Sequence, residues 1–335
     1  MKSRRSFAAP SELPASHGRS ERVQLDGWDA HILRWGEPGP DRVVLLHGFG
    51  SNAHEWQHVA SGLVPGHEVV ALDQRGHGLS GPTDRYGTKV LVDDVRLLLD
   101  ALGWDNASLV GHSMGGQCAF MLAATYPERV GRLVVIESSP QVRPEDSVRT
   151  GLRGRPRAFA SIKGALSDAW LSFPGADEAL LRYRVEHNLV PNRDGSLTWR
   201  TAAGLSGGTA NRNDFSEAEC WSAWRSVSAH TLLVHGADSE VLTYPMAARL
   251  ASVRPHVEVL HIEGAGHAIQ LERPRSLQAV VSAFLSAAPA RTGTRLGEPW
   301  DEGDLVARGE IASPLSGGFP DLTVLDVRSD GFANL

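Results

Sequence analysis

Four short apolar runs constrain the fold more than anything else in this chain. "RVVLL" (42–46), "HEVVALD" (67–73), "ASLVG" (107–111) and "RLVVIE" (132–137) are rich in β-branched residues and carry polar groups only at their edges. A strand without a polar face must be covered on both sides, which is the situation of a parallel sheet between two layers of helices. The intervening segments supply those helices. "VLVDDVRLLLDALGW" places Leu91, Val95, Leu98 and Leu102 along one stripe and keeps Asp93, Asp94 and Arg96 off it. "MGGQCAFMLAATYPERV" reads as a second helix that stops near Pro127. The alternation predicts an α/β class: a doubly wound, mostly parallel sheet.

The pattern breaks at residue 141 and resumes with "HTLLVHG" (230–236), "VEVLHIEGAGH" (257–267) and a closing helix in "PRSLQAVVSAFLSAA" (274–288). A chain of 335 residues has room for one such domain with an insertion. We therefore expect a core made of 21–140 and 230–289, and a helical insertion over 141–229 that opens with "QVRPEDSVRTGLRGRPRAF". Residues 1–20 are expected to be a loose N-terminal tail. Residues 290–335 form a polar C-terminal extension of unassigned role, in which "LTVLDV" reads as a short strand or a packing segment.

Composition narrows the function classes. A net charge of −6 and a pI near 6.2 argue against nucleic acid as the principal partner. The N-terminal segment has basic residues but no apolar h-region, and no run approaches the length of a membrane span. The expected location is cytoplasmic. Cys118 and Cys220 are far apart and form no ligand or redox motif, so Cys118 reads as a small core residue. No metal and no organic cofactor are expected, because the glycine-containing turns do not match a phosphate-binding loop of the dinucleotide type.

"SLVGHSMGG" (108–116) carries the chemistry. It is a G-x-S-x-G pattern lying between a strand and a helix. Such a turn strains Ser113 and requires neighbours without bulk, here Gly111, Gly115 and Gly116. The helix start behind it offers free N–H groups and partial positive charge. "LLHGFG" (45–50) ends an earlier strand, where a glycine-flanked turn aims the Phe49 N–H at the same place; with the Met114 N–H it would form an oxyanion hole. A serine hydroxyl needs a base. His267, after a strand in "EGAGHAIQLERP" (263–274), is the candidate, ahead of His235, His261 and His77. His77, in "DQRGHGLS" (73–80), reads as a loop-shaping residue.

Taken in order, "HGFG", "DQRGHGLS", "GHSMGG" and "GAGHAIQLERP" resemble the α/β-hydrolase family, in its serine esterase and lactonase-like branch, over about residues 22–288. The resemblance implies a nucleophile at Ser113 on a nucleophile elbow, a base at His267, oxyanion donors at Phe49 and Met114, and a cap domain at 141–229. The chain departs from the family's commoner pattern at the third member of the triad. The usual acid stands three residues after the glycine of "LLVHG", and that position is Ser239. Asp238 and Glu240 flank it and would substitute if the loop were shifted. The family's second solution puts the acid at the end of the strand after the nucleophile helix, where this chain has Glu137. A carboxylate at a buried strand end needs a partner to offset its desolvation, and an imidazolium forming at His267 would be one. Glu137 is the preferred acid and Asp238 the alternate.

A serine at the elbow favours acyl transfer on a carboxylic ester, thioester or lactone and disfavours the aspartate-nucleophile branches. Trp170, Trp199, Trp221 and Trp224 in the inserted segment suggest a small apolar or aromatic substrate, with at least two of them expected in that segment's own core. Arg182, Arg184 and Arg193 are read as solvent-facing, which leaves an anionic substrate as a minor alternative. Two other functions fit the same residues: carbon–carbon bond hydrolysis or cofactor-free perhydrolysis on the same triad, and a triad-bearing ligand receptor with little turnover.

Overall fold

The computed structural model describes residues 17–64, 66–81, 85–141, 158–201, 214–254, 256–287 and 322–324. Its main sheet has the strand order β1-β2-β4-β3-β5-β6-β10-β11-β12. The first two strands, β1 (Arg19–Leu25) and β2 (Trp28–Trp35), form an antiparallel hairpin on one flank. β3 (Arg42–Leu46), β4 (Glu68–Leu72), β5 (Ala107–His112), β6 (Val130–Ile136), β10 (His230–Gly236) and β11 (Val257–Ile262) run parallel at the centre. The apolar runs read from the sequence are these central strands. Val43 to Leu46 and Val69 to Leu72 are fully buried. Burying each such side chain contributes about 1.5–3 kcal/mol, which is why these segments form the centre of the sheet.

Helices cover both faces. α2 (Thr88–Ala101) and α3 (Met114–Thr125) pack on one side with the cluster that contains Val44, Leu46, Leu109 and Val135. α1 (Gln57–Leu63) and α9 (Pro274–Ser286) pack on the other with Val43, Leu45, Val110 and Val134. α7 (Tyr244–Ser252) joins β10 to β11, and the single turn α8 (Ile269–Glu272) precedes α9. Cys118 and Cys220 are both buried and free, and burial pushes the Cys118 thiol far up.

Between β6 and β10 the described part of the insertion contains α4 (Ile162–Ser172), α5 (Glu178–His187) and a small antiparallel sheet of β7 (Ala158–Phe159), β9 (Leu197–Trp199) and β8 (Leu189–Pro191). It is seated on the main domain by hydrogen bonds: Asn188 Nδ2 donates to Gly50 O (2.7 Å) and the Asp177 N–H to Leu271 O (2.7 Å). Most of "QVRPEDSVRTGLRGRPRAF" lies outside the described residues.

The boundary of the N-terminal tail and the placing of two tryptophans change, and one open alternative is resolved. β1 begins at Arg19, so residues 19 and 20 belong to the sheet; residues 1–16 lie outside the described set. α6 (Glu217–Ser226) packs on α3 with Trp221 and Trp224 in the main core, so these tryptophans do not belong to a core of the inserted segment. Trp224 meets Phe120 edge-on at 5.7 Å and donates to Leu250 O. Part of "LTVLDV" is a strand, β12 (Leu322–Val324), paired antiparallel with β11. No helix among the described residues is long and apolar enough to cross a membrane.

Candidate active site

The candidate side chains gather at the carboxyl ends of the parallel strands, where β5 gives way to α3. Ser113 sits at that break with φ 52° and ψ −115°, in the left-handed region. Its N–H is held by Ile136 O at 2.9 Å. The conformation survives because nothing crowds it. A Cβ on Gly115 would stand 2.2 Å from Leu46 O, and one on Gly111 would stand 2.3 Å from Gly115 O.

His267 lies on the loop after β11 and bridges two groups. Its Nε2 is 3.1 Å from Ser113 Oγ and its Nδ1 is 3.1 Å from Glu137 Oε2. The carboxylate can only accept from Nδ1–H, so Nε2 is left to accept the serine proton. Burial lowers the His267 pKa, and the hydrogen bond that its Nδ1–H donates to Glu137 opposes it. The net depression keeps the ring neutral near pH 7, the form a base requires.

Glu137 caps β6 and, like Ser113, has a positive φ, 51°. Its carboxylate is almost fully buried and fully used. Oε1 accepts from the Gly236 N–H at 2.7 Å; Oε2 accepts from Ser239 Oγ at 2.5 Å as well as from His267. Asp238 and Glu240 are exposed on the same loop, away from the imidazole contacts. Ser239, which stands where the family's usual acid would be, is thus a hydrogen-bond donor to Glu137. Its role follows from the Glu137 position and has no signature in sequence.

The "HGFG" turn is tied down from beneath. His47 Nδ1–H donates to Gly48 O, His47 Nε2 accepts from the Gln74 N–H (3.0 Å), and Gln74 Nε2 donates to His47 O (2.6 Å). His77 presents its ring edge-on to Phe49 at 5.5 Å, and burial depresses its pKa to about 3. It is a neutral wedge under the turn, and His235 and His261 pair with each other through their Nδ1 atoms at 2.6 Å. Asp73 ties "DQRGHGLS" to the rest by accepting from His31 Nδ1, the Ala53 N–H and the Leu79 N–H. Phe49 lines the cavity beside Ser113, and Met114 opens α3, where N–H groups have no intrahelical acceptor.

The same cavity is lined by Gly48, Glu55, His112, Phe173, Arg184, His267 and Ala268. Neither Trp170 nor Trp199 is among these; both are half-buried against the cluster of the inserted segment. Its aromatic walls are Phe49 and Phe173 instead. Arg182 and Arg193 face solvent as expected, Arg182 beside Glu186. Arg184 does not: it is half-buried and enters the cavity. Sequence reasoning missed it, although its spacing from Leu180 and Leu181 puts it on the buried face of α5. Glu55 was also missed. It is buried and faces His112, the residue before the serine, at 3.2 Å, while His112 Nε2 reaches His267 O at 2.9 Å. Burial pushes the Glu55 carboxyl up, but His112 and Arg184 hold it well below the usual range. Among the described residues no group of three or more His, Cys, Asp or Glu is placed to hold a metal ion.

A model of the alpha/beta hydrolase fold matches residues 41–274, most of the chain. The chain belongs to the α/β-hydrolase family. Among its relatives is Esterase Rv0045c of Mycobacterium tuberculosis, 33% identical over 275 residues, covering 79% of this chain and 88% of that protein. The 2-(acetamidomethylene)succinate hydrolase of Mesorhizobium japonicum is 28% identical over 83% of this chain and 99% of its own length. Among solved structures, that of E-2-(acetamidomethylene)succinate hydrolase superposes with a TM-score of 0.74 at 27% identity, covering 81% of this chain and all of that one. A structure of the esterase Rv0045c superposes with a TM-score of 0.68 at 30% identity, covering 82% and 94%. The α/β-hydrolase described here is a hydrolase by this kinship.

Proposed function

We propose that this α/β-hydrolase cleaves a small carboxylic ester, thioester or lactone through an acyl-enzyme on Ser113. The observation that carries the reading is the unbroken chain from Ser113 Oγ through the His267 imidazole to Glu137, with 3.1 Å at each step. In the first step the Ser113 proton passes to His267 Nε2 as Oγ attacks the carbonyl carbon. Glu137 accepts from Nδ1–H and stabilises the imidazolium that forms. The carbonyl oxygen takes the negative charge and is received by the N–H groups of Phe49 and Met114. Each such donor is worth about 2.7–4 kcal/mol in the transition state. His267 then gives its proton to the leaving alcohol or thiol. Water repeats the sequence on the acyl-enzyme and frees the serine.

The serine at the elbow sets this chain apart from hydrolases that attack with a carboxylate, which supports an ester over an epoxide as substrate. Kinship with an esterase supports the same choice. The test is a rapid burst of p-nitrophenol from p-nitrophenyl acetate and butyrate. We expect the burst in the intact protein, its loss in Ser113→Ala, and stoichiometric labelling of Ser113 by a fluorophosphonate. Absence of both burst and label in well-folded protein overturns the reading.

A further inference from the structure

The feature the ester chemistry leaves unused is a cation in the cavity. Arg184 projects from α5 into the space above Ser113. Its guanidinium lies over the Phe173 ring at 4.7 Å, a contact that fixes the plane of the group while leaving its N–H edges open. Among the described residues no hydrogen bond or ion pair closes those edges. The neighbouring carboxylate, Glu55, turns its Oε1 to His112 Nδ1 at 3.2 Å and the Gly48 N–H at 3.4 Å, and its buried Oε2 has no hydrogen-bond partner among the described residues, Arg184 included. With no hydrogen bond or ion pair between them among the described residues, Glu55 acts on Arg184 through its field, a counter-charge that opposes the lowering of the arginine's pKa by burial. A guanidinium with five donors, held flat and half out of water, thus has no hydrogen-bond acceptor among the described residues.

We propose that Arg184 receives a carboxylate of the substrate, so that this hydrolase acts on an acidic ester whose free carboxylate lies on the α5 side of the cavity while its scissile carbonyl lies at Ser113. The proposal names the substrate class of the serine-hydrolase reading and rests on it. A planar carboxylate fits because it can accept two parallel N–H groups from the fork. Arg184 is a specificity-determining residue in this scheme and takes no part in proton transfer.

Two matched pairs of esters test it, one for each side of the scissile bond. p-Nitrophenyl hydrogen glutarate against its methyl-capped diester places the charge on the acyl side; 4-acetoxybenzoate against methyl 4-acetoxybenzoate places it on the leaving-group side. In at least one pair we expect the free acid to be preferred in kcat/KM by about 10- to 100-fold, the span of a charge-assisted hydrogen bond. Arg184→Gln should collapse that ratio to near unity, and Arg184→Lys, which keeps the charge without the fork, should retain part of it. A ratio near unity in the parent for both pairs overturns the proposal. So does an Arg184→Gln variant that lowers acid and capped ester equally, the behaviour of a merely structural arginine. Calorimetry separates this outcome from failure of the acyl-enzyme reading. Ser113→Ala protein should bind 4-acetoxybenzoate or glutarate at least tenfold more tightly than the Ser113→Ala/Arg184→Gln double variant, whether or not any ester is turned over. No difference in binding between them overturns the carboxylate assignment.

Discussion

Replacing Glu137 by glutamine tests the reasoning at its most exposed point. The substitution keeps the shape of the side chain and removes its charge. At this site the amide cannot be accommodated neutrally. If its oxygen stays where Oε1 accepts from the Gly236 N–H, its NH2 faces His267 Nδ1 and Ser239 Oγ. If it flips, the NH2 meets the Gly236 N–H at a buried contact of 2.7 Å. The first orientation is the less costly, and it forces the imidazole proton onto Nε2, where the ring cannot accept from Ser113. Loss of the charge-assisted bond alone accounts for about 1.5–3 kcal/mol. The wrong tautomer extends this to a loss of about 10³–10⁴-fold in kcat, or about 4–5.5 kcal/mol. Because the Glu137 carboxylate is one of the groups that raise the His267 pKa against burial, the acid limb of residual activity should also move to lower pH. Asp238→Asn is the control: that residue is exposed, and we expect about a twofold change at most. The assay is kcat and kcat/KM for p-nitrophenyl butyrate from pH 4 to 9 on both variants, with thermal melts to establish folding. A glutamine variant that stays within tenfold of the parent, or an asparagine variant that loses more than it, would refute the assignment of the acid.

Three further outcomes are expected. Ser239→Ala removes one donor from Glu137 Oε2 and should lower kcat about tenfold while leaving the fold intact, as read by steady-state kinetics and near-ultraviolet circular dichroism. Gly115→Ala drives a methyl group to within 2.2 Å of Leu46 O, so the elbow must shift, and soluble protein from this variant should show neither burst nor phosphonate labelling. Burial depresses the pKa of His54 and His77 to about 3 and of His261 to about 4. An unfolded chain takes up these protons near pH 6.5 and the native chain does not, so stability is fully present above about pH 6.5 and lost as pH falls toward 3–4, by up to about 1.4 kcal/mol per pH unit for each histidine. Urea midpoints at pH 7.5 and pH 5 check the sign; a higher midpoint at pH 5 would contradict it.

Much of the architecture can be read from the chain because the central strands are apolar on both faces, a condition few other folds impose. Ser113 and His267 are legible for a related reason: Gly111 and Gly115 mark a turn with no room for side chains around the serine, and His267 follows a turn in which Gly264 takes a positive φ. The acid is harder. Glu137 and Asp238 both follow strands, and what separates them is the parallel pairing of β6 with β10, which brings the Gly236 N–H onto the glutamate. That is a fact of register between segments about a hundred residues apart, invisible to local pattern. Tryptophan counting misled for the opposite reason, since a large apolar side chain reports burial without reporting in which core. Trp224 fills the space beside Phe120, and the cavity wall is left to Phe49 and Phe173. Arg184 was legible as a charge on the apolar stripe of α5, but only to a reader who weighs a helix by face and not by content.

With Glu137 just past the end of β6 and Ser113 just past the end of β5, the serine and the carboxylate leave two paired neighbouring strands at matching positions, one beyond the His112–Ile136 pair. Under the proposed triad, the loop beyond β10 is relieved of carrying the acid. It contributes the Ser239 hydroxyl, and the tolerance this confers should let that loop lengthen or change its sequence among related chains without silencing them, provided Ser239 or an equivalent small donor is kept. Restoring an aspartate there would crowd two anions around a single imidazole, a place with room for one.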